Sequence, residues 1–221
     1  MNEPRGVLSL PPLYLIADRT TCAPRNLEDV LAEALDAGVR LVQLREKQLE
    51  MRELRHLAAR LQWHASNYEA RLLVNTHAGI ARDIGAAGVH LPSSGPAPWT
   101  IRQQHGSHML IGRSTHNKKE FREADGADFV TFSPIYSPNS KPGYGPGTGP
   151  RALRRVAERS SLPAYALGGI TPARVAACKR NGAAGIAVMS GILAARHVSS
   201  AVRAYLEAWS STPGPRHPQL P

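Results

Sequence analysis

Short aliphatic runs alternate with amphipathic helical segments along this chain, roughly one pair every 25 residues, and this rhythm predicts a parallel sheet. Eight runs are rich in Leu, Ile, Val and aromatic residues: 13–18, 41–46, 71–76, 88–92, 109–115, 129–134, 163–169 and 185–190. Six segments between them have apolar residues at three- and four-residue spacing, which predicts helices: LEDVLAEAL, MRELRHLAARLQ, FREADG, RALRRVAE, ARVAACKRN and AVRAYLEAW.

Eight units without a break in composition predict the α/β class and a single-domain (β/α)8 TIM barrel. An open doubly wound sheet would usually carry GxGxxG after its first strand, and LYLIADRTTCAP has none. Gly is predicted to end four helices, in DAGVR, DIGAAG, ADGADF and RNGAAG. We expect the barrel to cover residues 13–209, with a mobile N-terminal segment at 1–12 and a disordered Pro-rich tail at 210–221.

Composition excludes several classes of protein. Lys and Arg outnumber Asp and Glu by 27 to 17, but they are scattered among Glu residues on helical segments, so we expect a solvated surface and no nucleic-acid partner. No apolar run approaches the roughly 18 residues of a membrane span. The N-terminus resembles neither a signal nor a transit peptide, so we expect a cytoplasmic protein. Cys22 and Cys178 are isolated, which indicates reduced thiols.

Polar side chains follow the second strand, and active sites of such barrels lie where strands end. Alternation directs Gln43, Arg45 and Lys47 toward one side and Leu44 and Glu46 toward the other. Three donor side chains at the barrel mouth would suit an anion. The alternative is a strand whose cations are neutralised by nearby carboxylates.

Small residues end the seventh and eighth strands, directly before helices: Gly168-Gly169 and Ser190-Gly191. Backbone N–H groups at helix N-termini bind anions, and this position is a recurrent phosphate site in (β/α)8 barrels. We therefore predict a phosphate site there. The alternative is that the glycines only permit tight turns.

A long loop follows the sixth strand, SPIYSPNSKPGYGPGTGP, with five Pro, four Gly and a single charge, Lys141. Its length predicts a lid over the mouth, although a plain surface loop is the alternative. On the fifth strand, alternation places Ser114 and His116 on one side and Arg113 on the other.

Taken in order, these residues resemble the thiamine phosphate synthase/TenI superfamily over about residues 13 to 195. The similar elements are QLREK (43–47), VN (74–75), GVHLP (88–92), IGRSTH (111–116), DFVTFSPIY (128–136), SKPG (140–143), ALGGIT (166–171) and GIAVMSGI (185–192). The ordered set is specific, while no single element is diagnostic.

The resemblance implies small-molecule partners and their sites. Synthases of this superfamily join an aminopyrimidine diphosphate to a thiazole phosphate, giving thiamine phosphate and pyrophosphate. The residues implied for the pyrimidine diphosphate are Gln43, Arg45, Lys47, Asn75, Ser114 and Lys141. Those implied for the thiazole phosphate are Pro138, Asn139, Ser140, Gly169, Met189 and Ser190.

Two positions depart from the synthase pattern. Synthases carry an Asp after the Asn of strand three and a second Asp beyond strand four, and these two carboxylates bind Mg²⁺. This chain has Thr76 at the first position and no acid in residues 92–96, while Asp83 lies on the following helix. We therefore expect no metal site, with Mg²⁺ a cofactor only if the chain is a synthase. HLPSSG and IGRS resemble the TenI branch, whose aromatisation of a thiazole phosphate carboxylate tautomer needs no metal.

The catalytic residues are less clear from this resemblance, because TenI tautomerases are expected to use a His shortly after strand six and this chain has Pro134 there. For proton transfer, position favours His116 and then His77, although structural or solvated roles suit both. We assign His116, Ser114 and Lys141 as candidate catalytic residues.

Three functions remain open. The residues favour a TenI-like enzyme or thiazole phosphate-binding protein, which predicts little or no synthase turnover. The first alternative is a thiamine phosphate synthase with a weak metal site. The second is a regulatory barrel that binds thiazole or thiamine phosphate without turnover. Assembly into a homo-oligomer is left open.

Overall fold

Eight parallel strands close into a barrel in this computed structural model, which describes residues 9–137, 146–158 and 162–214. Each strand pairs with the next along the chain, and β8 pairs with β1. The strands are β1 (Leu13–Ala17), β2 (Leu41–Leu44), β3 (Arg71–Asn75), β4 (Gly88–Leu91), β5 (Leu110–Thr115), β6 (Phe129–Phe132), β7 (Ala164–Leu167) and β8 (Gly185–Val188). The predicted (β/α)8 barrel is confirmed.

Helices follow the strands and cover the barrel. They are α1 (Arg19–Cys22), α2 (Leu27–Asp36), α3 (Met51–Asn67), α4 (Ala78–Asp83), α5 (Pro98–His105), α6 (Lys118–Arg122), α7 (Pro150–Ala157), α8 (Pro172–Arg180), α9 (Ser190–Leu193) and α10 (Val198–Ser210). Five of the six predicted segments coincide with α2, α3, α7, α8 and α10. The helix predicted at FREADG begins earlier, because the Asn117 side chain accepts hydrogen bonds from the Lys119 and Glu120 N–H groups and starts α6 at Lys118.

The four glycines predicted to follow helices all have left-handed backbone. Their φ angles are +115° at Gly38, +68° at Gly85, +82° at Gly126 and +85° at Gly182. Side chains with a Cβ rarely adopt this region, so glycine ends these helices at little steric cost. The prediction is confirmed for Gly38, Gly85 and Gly182, each of which directly follows a C-cap residue, whereas α6 ends at Arg122, four residues before Gly126.

The core has two layers, one inside the barrel and one between the strands and helices. Inside, the rings of Tyr14, Phe129 and Tyr165 meet edge to face, with centroids 5.3–5.9 Å apart. Such contacts between aromatic rings add to the free energy of burial. The barrel interior is therefore filled by side chains.

The N-terminal strand is preceded by residues that hydrogen-bond to the barrel. The Tyr165 hydroxyl donates to the Pro11 carbonyl (2.6 Å), and the Ile186 N–H donates to the Pro12 carbonyl (2.8 Å). Residues 1–8 of the predicted mobile segment lie outside the described residues, as do residues 215–221 of the predicted tail. Helix α10 ends at Ser210, and Thr212 beyond it is buried.

Several basic side chains on the surface form ion pairs with carboxylates. Arg25 pairs with Glu33 (2.7 Å), Arg55 with Asp83 (2.6 Å) and Arg60 with Glu28 (2.9 Å). Both cysteines are buried and free, and burial raises the pKa of Cys178 to about 11. None of the helices in the described ranges is long and apolar enough to cross a membrane.

Candidate active site at the barrel mouth

A row of hydrogen-bonded polar side chains crosses the barrel interior from β2 to β5. Gln43 Nε2 donates to the Tyr14 hydroxyl oxygen (3.0 Å), which lies 3.2 Å from His90 Nδ1. On the other side of the ring, His90 Nε2 lies 3.1 Å from Ser114 Oγ. Four strands therefore contribute one chain of contacts, which we call the polar row: Gln43, Tyr14, His90 and Ser114.

Two members of the polar row are held in their neutral forms by burial. Burial, with a further contribution from the Arg45 charge, lowers the pKa of His90 to about 3. Burial also raises the pKa of Tyr14 well above its ordinary value. Near neutral pH the row therefore contains an uncharged imidazole and an uncharged phenol.

Cationic side chains follow β2 above this row. The Arg45 guanidinium lies 3.9 Å from an oxygen of Asp18, so it has only a loose ion pair. Asp18 also caps α1 by accepting from the N–H groups of Thr20 and Thr21. Lys47 is exposed. The structure thus directs Gln43 inward as predicted, and leaves Arg45 and Lys47 near the rim.

Strand β3 ends in a strained turn at the first position that departs from the synthase pattern. Thr76 has φ +69°, a left-handed conformation that is unfavourable for a β-branched residue. Its hydroxyl accepts a hydrogen bond from Asn75 Nδ2 (2.9 Å), and its N–H donates to the His90 carbonyl (2.9 Å). Asn75 lies in register with His90, which places it at the edge of the polar row.

The loop after β4, in which synthases carry their second Asp, is held by hydrogen bonds from Arg113. The buried guanidinium of Arg113 donates to the carbonyls of Ser93 (2.9 Å) and Pro96 (2.9 Å). Among the described residues, no three His, Cys, Asp or Glu side chains gather as a metal site. A fixed positive charge on the loop oxygens and a threonine at position 76 do not fit a two-carboxylate Mg²⁺ site.

The β7 loop, predicted to bind phosphate, is packed against the start of the long loop. A Cβ at Gly169 would lie 2.9 Å from the Ser137 carbonyl oxygen, and φ there is +58°, so glycine is required. Arg174 fixes this contact by donating to the Gly169 carbonyl (2.6 Å) and covering the Tyr136 ring at 4.4 Å. Turn geometry therefore explains part of the glycine pattern.

The end of β8 supplies the other half of the predicted phosphate site. Met189 packs against the inner core, and the exposed Ser190 begins α9. N–H groups in the first turn of a helix have no acceptor within the helix. Backbone donors are therefore available at Ser190, although α9 has only four residues.

The ends of the predicted lid are hydrogen-bonded to each other. The N–H and the hydroxyl of Thr148 both donate to the Pro134 carbonyl (2.9 Å each), and the Gly149 N–H donates to the Ile135 carbonyl (2.9 Å). The lid residues themselves, Pro138, Asn139, Ser140 and Lys141, lie outside the described residues. Their assignment to substrates stays a prediction.

The two histidines named from the sequence lie apart from the polar row's hydrogen bonds. His116 Nδ1 lies 2.8 Å from Glu120 Oε2 on α6, and the His116 N–H donates to the same oxygen (2.9 Å). Burial would raise the pKa of Glu120, but its bonds to His116 and Asn117 outweigh that effect and lower it. His77 is the N-cap residue of α4 and makes no capping bond through its side chain.

Three polar residues of the interior were not predicted from the sequence, because they lie before the last positions of their strands. His90 lies one residue before the end of β4, and Tyr14 lies near the start of β1. The Thr131 hydroxyl is buried without a hydrogen-bond partner in the part of the chain that is described, and Thr131 lies in register with Ser114. A His in an otherwise apolar strand, GVHLP, was the available signal.

The structure is a closed (β/α)8 barrel with polar and cationic side chains at the C-terminal strand ends, where the active sites of enzymes with this fold lie. The chain matches the family model of thiamine monophosphate synthase over residues 13–192. It belongs to the thiamine phosphate synthase/TenI superfamily, a family of thiamine biosynthesis.

Relatives over the whole barrel carry synthase names. A putative thiamine-phosphate synthase 2 from Aquifex aeolicus is 40% identical over 84% of this chain and 100% of its own length. A putative thiamine-phosphate synthase from Geobacter sulfurreducens is 41% identical, over 82% of this chain and 86% of its own. A solved structure, thiamine phosphate pyrophosphorylase from Pyrococcus furiosus, is 26% identical with a TM-score of 0.80, covering 90% of this chain and 95% of that one.

These similarities change the order of the functional interpretations. The residues alone favoured the TenI-like branch, because both synthase carboxylates are missing. The names of the relatives support the synthase interpretation better, and none of the matches described above carries a tautomerase name.

Proposed function

We propose that this protein is a thiamine phosphate synthase that joins an aminopyrimidine diphosphate to a thiazole phosphate and releases pyrophosphate. The observation that carries the proposal is the similarity of the whole barrel, at 40–41% identity, to relatives that bear this name. The polar row and the cations after β2 are chemically consistent with this activity. They offer donors and positive charge where a diphosphate would lie.

The diphosphate is assigned to the side of the mouth formed by β2, β3 and β5. Arg45 and Lys47 supply positive charge, and the loose pair of Arg45 with Asp18 leaves its guanidinium available. Asn75 and Ser114 supply short polar groups beside them. Because pyrophosphate leaves as an anion, cations fixed at this place stabilise the transition state more than the bound substrate.

The thiazole phosphate is assigned to the opposite side, at Gly169, Met189 and Ser190. The N–H groups of Ser190 and Gly191 at the start of α9 would donate to its phosphate oxygens, because those of Ile192 and Leu193 already donate to the Met189 carbonyl. Pro138, Asn139 and Ser140, which the resemblance assigns to the thiazole phosphate, belong to this ligand in the proposal. The two anionic groups are then held apart while the reacting atoms of the two rings meet between them.

Charge stabilisation in this proposal depends on Arg45, Lys47 and Lys141, since the residues present do not fit a two-carboxylate Mg²⁺ site. A metal ion in such a site contributes several kcal/mol to the transition state, and each ~1.4 kcal/mol is a tenfold change in rate. Coupling is therefore expected to be slow and weakly dependent on Mg²⁺.

A second candidate is the metal-free aromatisation of a thiazole phosphate carboxylate tautomer. One observation favours it: the Thr76 position and the loop fixed by Arg113 lack carboxylates. Proton transfer requires an acid or base near the ring but no metal. His116 would have to leave Glu120 to serve that role, since its Nδ1 contacts that carboxylate.

The decisive assay follows thiamine phosphate from both substrates in Mg²⁺ and in EDTA. We expect slow synthesis that changes less than about tenfold between the two conditions. Thr76→Asp restores one carboxylate and should make synthesis faster in Mg²⁺ only. Thr76→Asn is the matched control, because it has the same shape without the charge and should show no gain in Mg²⁺.

Three results would contradict parts of this proposal. Absence of thiamine phosphate under all conditions would exclude synthase activity. Tautomer turnover that survives EDTA and is lost in His116→Asn would then establish the second candidate. Strong Mg²⁺ dependence of the unmodified chain would contradict the metal-independent charge stabilisation.

A further inference from the structure

We propose that His90 is a positioning residue, which turns the hydrogen of the Ser114 hydroxyl away from the barrel interior and toward a ligand at the mouth. The proposed hydrogen-bond order, meaning which atom donates and which accepts along the polar row, is a property of the unliganded protein. Its consequence for substrate binding rests on the proposed function, in which Ser114 contacts the pyrimidine diphosphate.

The direction of each hydrogen bond follows from the number of hydrogens available. Gln43 Nε2 donates to the Tyr14 oxygen, so the single hydroxyl hydrogen of Tyr14 is free to donate to His90 Nδ1. A neutral imidazole that accepts at Nδ1 carries its hydrogen on Nε2. His90 therefore donates through Nε2 to Ser114 Oγ, 3.1 Å away.

The surroundings of His90 keep this order fixed. The residue is 2% exposed, and its ring lies against Tyr14 and Phe129, at centroid distances of 5.7 and 6.0 Å. On the facing strand, a Cβ at Gly112 would lie 2.5 Å from His90 Nδ1, so glycine makes the room for the ring. The imidazole is enclosed on β4 and has little freedom to turn.

The consequence falls on Ser114, which is the only partly exposed member of the polar row. Because its oxygen accepts from His90, its own hydrogen is left to donate elsewhere. The facing group at the mouth must then be an acceptor, such as a phosphate oxygen or an unprotonated ring nitrogen. His90 itself does not reach the mouth, so it acts through Ser114 and does not touch the substrate.

The first test reads the hydrogen positions directly and needs no ligand. In the ¹⁵N-labelled full chain, long-range proton–nitrogen correlation spectra should show one histidine with hydrogen on Nε2 and none on Nδ1, unchanged from about pH 5 to pH 8. Its signals should be absent in His90→Gln. Hydrogen on Nδ1, or a charged ring, would overturn the proposed hydrogen-bond order.

A second test measures binding of the pyrimidine diphosphate by calorimetry, without thiazole phosphate. His90→Phe removes both ring bonds and should weaken binding about tenfold, as expected when a hydrogen bond to a charged group is lost. His90→Gln keeps a donor near the Nε2 position and should restore most of the affinity. In turnover, the same variants should raise KM more than they lower kcat.

The double variant separates positioning from general damage. In a Ser114→Ala background, His90→Phe should cause no further loss of affinity, because the hydroxyl that it orients is absent. Equal losses with and without Ser114 would overturn the proposal. If His90→Phe does not fold, Tyr14→Phe replaces it and should give a mixture of His90 tautomers and a smaller loss.

The nitrogen spectra and the assay of thiamine phosphate synthesis together distinguish the role of His90 from the proposed function. A chain with hydrogen on Nε2 that makes no thiamine phosphate contradicts the synthase activity alone. Synthesis by a chain with hydrogen on Nδ1 contradicts the role of His90 alone.

Discussion

At the scale of single residues, Thr76 has a backbone conformation that is unfavourable for its side chain. Its φ of +69° places a β-branched side chain in the left-handed region, where Asn, Asp and Gly are far better tolerated. A strained conformation of this kind costs on the order of 1–3 kcal/mol. The aspartate that synthases carry here would suit the backbone better than threonine does.

We predict that Thr76→Asn raises the free energy of unfolding by about 1 kcal/mol, since asparagine relieves the strain and retains a side-chain acceptor for Asn75. Urea denaturation followed by circular dichroism measures the change. The matched control is Thr100→Asn on α5, where the backbone is helical and the change should stay within about 0.5 kcal/mol. Equal effects at the two positions would contradict the strain.

The sequence predicted some site residues well and others poorly, for a physical reason. Alternation along a strand gives the side to which a side chain points, and Gln43 and Ser114, both named from the sequence, lie in the polar row. Hydrogen-bond partners depend on the register between strands, which one sequence does not reveal. Ser114 therefore contacts His90, which is 24 positions away in the sequence. His116 contacts Glu120, which lies four positions further along the chain in α6.

At the scale of elements, β4 and β5 pack closely because β5 has a glycine opposite the His90 ring. Gly112 faces His90, and an added Cβ would also lie 2.6 Å from a ring carbon of Phe129. Overpacking of a closed interior costs about 1–3 kcal/mol. The pair of strands thus holds the polar row in place through a glycine whose backbone is ordinary.

We predict that Gly112→Ala lowers the free energy of unfolding by about 1–3 kcal/mol and alters the His90 signals in nitrogen spectra. Gly79→Ala on α4 is the matched control, because no atom lies within 4 Å of its added Cβ. There alanine should stabilise the helix, by up to about 1 kcal/mol. A stable Gly112→Ala variant with unchanged His90 signals would contradict the close packing.

Elements were predictable from sequence in proportion to their length. Helices α2 and α3 have 10 and 17 residues, so periodicity had enough positions to be recognised. Helices α1 and α9 have only four residues each, and their existence depends on capping and on tertiary contacts. The glycines after helices were predictable because a left-handed turn is a local requirement.

At the scale of the whole molecule, the barrel was predictable because closure follows from eight repeated units. The chemistry of its mouth was not, since the same barrel accommodates many activities and differences lie in single side chains. Thr76 and residues 92–96 separated this chain from the synthase pattern, while the similarity of the entire barrel supports the synthase interpretation.

Global stability should respond to pH through His90, which is buried in the barrel interior. The pKa of His90 is about 3 in the folded protein, against roughly 6.5 for an unfolded histidine. Between these values the unfolded chain binds a proton that the folded protein excludes, so stability falls as pH falls below about 6.5. The contribution is fully present above this pH.

We predict that the free energy of unfolding decreases by about 2 kcal/mol more in the unmodified protein than in His90→Gln when the pH is lowered from 7 to 5. The other histidines are present in both proteins, and their effects cancel in this difference. Urea denaturation at the two pH values measures it. An equal pH dependence in the two proteins would show that His90 is protonated in the folded protein at pH 5. The ring would then carry hydrogen on both nitrogens, and Nδ1 could not accept a hydrogen bond from Tyr14.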